Sequence, residues 1–94
     1  MDEKELSLAQ KRARERKVRQ DSALVQLVNT REGREYVWWL LELGGLGDNP
    51  MTDNALRTAF KCGTLNVSQQ VLAHLLETAP EAYLIMLKER TDAP

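Results

Sequence analysis

A single cysteine, Cys62, and a single histidine, His74, limit the chemistry that this 94-residue chain can hold. With one thiol, no disulfide forms within the chain and no metal site can be assembled from several thiolates. That usage fits a reducing compartment. Aromatic residues make up only 5% of the sequence, so the core is expected to be aliphatic and thin. Apolar runs such as YVWWLL at 36–41 fall far short of the ~18 residues a membrane span needs. The segment MDEKELSLAQ lacks the basic-then-apolar order of a signal peptide, so a soluble protein that is not exported is expected.

What is present is an ordinary globular mix, with 43% hydrophobic and 29% charged residues, enough for one small domain. A chain of this length buries only roughly 60 to 65% of the surface that it exposes when unfolded. The monomer is therefore marginal, and a homo-oligomer is expected. Thirteen Lys and Arg against fourteen Asp and Glu give a net charge of -1, which argues neither for nor against nucleic acid. Its distribution says more. Residues 1–21 hold seven basic and five acidic groups, whereas 22–94 hold six and nine. Within QKRARERKVRQ at 10–20 six cations face a single acid, so the positive charge forms an arm.

No Pro or Gly interrupts residues 3–20, which are rich in helix formers. At 100° per residue, Lys11, Arg12, Arg14, Arg16, Lys17 and Arg19 scatter around the whole circumference and leave only Leu6, Ala9 and Ala13 as a faint apolar seam. Such a helix projects from the body. From Asp21 the pattern changes: Leu24, Leu27 and Val28 predict a short core helix that Asp21 or Ser22 would cap. Thr30 supplies the next cap, for a helix over about 31–43 with Val37, Leu40 and Leu41 inward, Trp38 beside them, and the Gly44-Gly45 pair as its stop. GLGDNPMTDN at 45–54 reads as the reversing loop.

Thr52 or Asp53 is expected to cap one long helix over about 53–78, in which Leu56, Phe60, Gly63, Val67, Val71, Leu75 and Ala79 keep one phase. Gly63 in its interior would let another helix come close, although a break there into two helices is the alternative. Pro80 suits the first position of a last helix, with Tyr83, Leu84 and Leu87 inward. No segment alternates with period 2. The expected fold is all-α: a small helical bundle of three to four core helices with a charged N-terminal helical extension, divided into an arm at 1–20 and a compact domain at 21–94.

Catalytic groupings are absent from the pattern. On one helix, twelve residues place Cys62 about 18 Å from His74, and six residues turn Ser68 some 120° away from it. His74 has only Glu77 at a metal-ligand spacing. The GGLG at 44–47 lacks the Lys-Ser/Thr of a phosphate loop and precedes Asp48, so it reads as a helix stop. Glu32 with Glu35, and Glu77 with Glu81, read as solvated surface carboxylates. No enzyme, cofactor or metal is expected. Six arm cations could neutralise several phosphates, giving nonspecific DNA contact that weakens with salt, or could meet an acidic protein surface. Trp38 and Trp39 lie about 100° apart, so one of them is expected to face a partner.

EGREYVWWLLELGGL (32–46), LRTAFKCGTLNV (56–67) and LLETAPEAYLIMLKER (75–90), in that order, resemble a family of small tailed-phage proteins first catalogued in a Bordetella podophage, whose genes accompany the portal and terminase genes. The resemblance covers about 22–90 and rests on Glu32, Gly33, Arg34, Trp38, Leu40, Leu41, Glu42, Thr58, Phe60, Gly63, Asn66, Val67, Leu75, Leu76, Pro80, Glu81 and Met86. Thr64 and Leu65 stand where the family usually has basic residues, and GLGDNPMT replaces aromatics usual in its loop. The resemblance implies a non-enzymatic virion or assembly protein of a podophage. Its partners would be portal, tail or ejection components, and its location the virion or, during assembly, the host cytoplasm.

Overall fold

The computed structural model describes residues 2–92, and among them the chain forms four helices and no strand. Helix α1 spans Glu3–Leu27, α2 Arg31–Leu43, α3 Ala55–Thr78 and α4 Pro80–Asp92. The all-α expectation holds. Helix α3 touches each of the other three, and α2 also packs on α4.

Each boundary has a local cause. Asp2 caps α1 by accepting from the Glu5 N–H at 2.8 Å, with Glu3 and Glu5 completing an acidic first turn that favours the positive end of the helix dipole. Thr30 caps α2 as expected, accepting from the Gly33 N–H at 3.1 Å. The end of α2 is a Schellman turn: Gly45 donates to the Glu42 carbonyl at 2.9 Å and Leu46 to the Leu41 carbonyl at 3.0 Å. The left-handed residue there is Gly45, at φ +89°, while Gly44 keeps helical angles. Asn54, and not Thr52 or Asp53, caps α3, accepting from the Arg57 N–H at 3.0 Å. Thr52 instead ties the loop down by bonding Thr58. Pro80 opens α4, where a missing N–H costs nothing.

Two expectations fail on packing. The chain does not break at Asp21: α1 runs unbroken through the expected boundary between arm and domain, so the arm and the first core helix are one element. Asp21 and Ser22 are mid-helix residues. The long helix does run through Gly63, but a Cβ built there meets nothing within 4 Å, so no helix approaches at that point. The close crossing is at Gly44, where a Cβ would lie 1.7 Å from Ser68 Oγ and 2.8 Å from the Thr64 carbonyl oxygen. Ser68, buried at that crossing, donates to the Leu41 carbonyl at 3.1 Å, which satisfies its hydroxyl.

The core is as small as the composition implies: Val28, Val37, Leu41, Leu75, Ala82 and Met86, flanked by Leu24, Trp38, Leu46, Val71, Leu72, Ala79 and Tyr83. On α4 the inward residues are Ala82 and Met86 with Tyr83, whereas Leu84, expected inward, is 65% exposed and Leu87 also faces out. The molecule is flat, measuring 54 × 38 × 16 Å. Its radius of gyration is 17.1 Å, against about 12 Å for a compact domain of this length.

Candidate functional site

The arm cations are exposed. Lys11, Arg12, Arg14, Arg16, Lys17 and Arg19 are all exposed, and among the described residues only Lys17 is ion-paired, to Asp21 at 3.4 Å and Glu77 at 3.9 Å. These contacts fix the direction of the arm. Asp21 meets His74 and Lys17 meets Glu77, so α1 runs antiparallel to α3, which ends one residue later at Thr78. Residues 3–16 therefore extend about 20 Å past the end of α3. His74 Nε2 donates to Asp21 Oδ1 at 2.7 Å. That hydrogen bond, aided by Lys17, holds the Asp21 carboxyl below the ordinary carboxylate range despite some desolvation.

A second charged group clamps α2 to α4. Arg34 donates to both oxygens of Glu89, at 2.8 and 3.3 Å, and to the Val28 carbonyl at 3.1 Å. Arg31 adds a 3.5 Å contact to the same carboxylate. The hydrogen bond from Arg34 is the main reason that Glu89 titrates below its ordinary value, and Glu89 in turn raises Arg34. Beside this pair, Arg90 bonds Glu35 and lies over the Trp38 ring at 5.5 Å, a cation–π contact. Gly33 makes the arrangement possible, since a Cβ there would sit 1.5 Å from the Leu27 carbonyl oxygen. The Glu-Gly-Arg run thus builds a helix start and a clamp. Sequence reasoning assigned Gly33 a structural part, but it read Glu35 as a solvated surface carboxylate, which its bond to Arg90 corrects, and it missed Glu89 and Arg90, for no short-range pattern pairs residues 55 apart.

The tryptophans divide their roles. Of the two interface candidates, Trp38 packs on the chain's own core under Arg90. Trp39 is 52% exposed and touches Tyr36, their ring centroids 5.5 Å apart. Phe60, expected as a structural core residue, is 72% exposed because it points away from the side of α3 on which α2 and the 45–54 loop lie. It lines a cleft of about 510 Å³ between the end of α2 and the start of α3, with Leu43, Pro50 and Leu65 as apolar walls and Glu42, Asp48 and Lys61 at its edge.

The residues with nucleophilic or basic chemistry stay apart. Cys62 is exposed, Ser68 is committed to the Leu41 carbonyl and His74 to Asp21, all on one unbroken helix. Among the described residues no group of three His, Cys, Asp or Glu side chains is placed to hold a metal ion, and no helix is long and apolar enough to cross a membrane. No protein-family model, curated protein or solved structure matches this chain. What the molecule offers a partner is therefore read from its own surfaces: a bare cationic rod and a broad apolar face.

Proposed function

We propose that this protein is a non-enzymatic structural or assembly component that works by packing against further copies and other proteins. The observation that supports this reading most is the area left uncovered. The chain exposes 7,309 Å², against about 5,500 Å² for a compact monomer of its mass. Large apolar side chains stand exposed on the body, among them Trp39, Leu43, Leu56 and Phe60. Exposed apolar patches mark contact sites in soluble proteins.

The setting, a podophage virion near the portal, tail or ejection apparatus, rests on the resemblance over residues 22–90. Mass spectrometry of purified particles tests it. Stoichiometric presence of the chain is the expected result, and a particle without it overturns the setting.

A second reading has its own observation: of the six cations at 11–19, all exposed, only Lys17 is ion-paired among the described residues. In it the protein is a small nucleic-acid-binding regulator whose arm neutralises phosphates. DNA binding that falls steeply with salt and disappears when Arg12, Arg14, Arg16 and Arg19 become Gln favours this reading. No binding at ~50 mM salt removes it.

A further inference from the structure

Helix α3 carries a line of side chains at 56, 60, 63 and 67, spaced four, three and four residues apart as in a coiled-coil seam. Leu56, Phe60 and Val67 on this line are 83%, 72% and 61% exposed, and Gly63 between them has open space where a side chain would be. Farther along, the same line is covered, for Val71 packs on the core and His74 meets Asp21 of α1. Coverage stops because α1 ends at Leu27.

We infer that this half of α3 is a self-association surface, in which two copies pair antiparallel with their Gly63 residues at the crossing. The inference deepens the assembly reading and rests on it. Three features select a second copy as the occupant. The first is self-complementarity: about a two-fold axis at Gly63, Phe60 of one copy falls beside the gap at Gly63 and against Val67 of the other, a knob facing a hole. The second is charge. No acidic residue occurs between Ala55 and Leu76, and Arg57 and Lys61 lie about a quarter turn or more away from the line. The seam is neutral, and a like neutral seam covers it without stranding an ion. The cationic arm, charged on every side, would set a guanidinium on apolar surface.

The third is area. Leu43 shares the cleft with Phe60, and Tyr36, Trp39 and Leu43, spaced i, i+3 and i+7, share one exposed face of α2 on which Tyr36 and Trp39 touch. These three with Leu56, Phe60 and Val67, at roughly 100 Å² each, supply about 600 Å² of the ~800 Å² per partner that a standard interface buries. The remainder is the polar rim that such interfaces carry.

Light scattering on the full chain, combined with cysteine trapping, tests the pairing. The wild type is expected at twice the chain mass and Phe60→Glu at the single mass with unchanged helicity, since Phe60 supports no core contact. In a Cys62→Ala background, Gly63→Cys is expected to oxidise to a disulfide-linked dimer, and a Cys placed by Gln69→Cys, off the line, is not. A wild type that stays monomeric at every concentration overturns the pairing. So does a dimer indifferent to Phe60→Glu, or trapping of residue 63 to a different protein. Presence in purified particles is measured separately, so the pairing can fail while the assembly reading stands.

Discussion

Gly44 and Gly63 show how differently one residue type is used within a single fold. At Gly44 an added methyl would run into Ser68 and the Thr64 carbonyl, both held by the helix crossing. Gly44→Ala is expected to cost about 1–3 kcal/mol in urea unfolding, as overpacked sites do. At Gly63 the added methyl meets open solvent and relieves a helix of its most flexible residue. Gly63→Ala, measured in the Phe60→Glu background so that association plays no part, is expected to gain about 0.5–1 kcal/mol. Opposite signs at the two glycines are the measurement to seek. At Glu89 the folded carboxyl titrates below its ordinary value of 4.5, chiefly through Arg34. Its stabilising effect is complete above that value and is lost as pH falls through the lower folded one. Thermal midpoints should therefore drop on acidification below about pH 4.5, and Glu89→Gln should flatten that drop while lowering the midpoint at neutral pH.

At the scale of elements, the boundaries of α2 and α4 were legible because Thr30, the Gly44-Gly45 pair and Pro80 are local signals, whereas several polar residues at 52–54 competed for the cap of α3 and Asn54 holds it. Coverage was not. The apolar line on α3 has the period of a core face throughout, yet α3 is about 36 Å long while α2 and α4 are about 20 Å each, so its first half outruns them. Periodicity reports a face, not the length of whatever lies against it. On α4 the six apolar residues from Ala82 to Leu87 are consecutive and carry no phase, and Glu89 and Arg90, tied to α2, set it instead. Asp21 reads as a cap by type but spends its carboxylate on His74, so α1 continues through it. Because residues 3–16 extend beyond the body, a chain lacking residues 2–16 should lose far-UV helicity while keeping its thermal midpoint. His74→Ala in the full chain should instead loosen the 17–27 portion, read as faster amide exchange there.

For the whole molecule, a thickness of 16 Å is no more than two layers of packed helices. The Phe60→Glu chain in small-angle scattering should give a radius of gyration near 17.1 Å, not the about 12 Å of a compact domain. A value near the compact figure would mean that α1 folds back on the body. The six cations and the surface tryptophan were legible one by one. Their placement, on a rod at one end and an apolar face at the other, depends on α1 and α3 lying antiparallel, as the Asp21–His74 and Lys17–Glu77 contacts show.

That unbroken α1 has a mechanical consequence. A tether with a hinge at its root lets whatever grips its tip drift freely, whereas a stiff lever passes torque to its mounting. A load on the first turns of this helix is therefore carried to its root, where Asp21 meets His74 of α3.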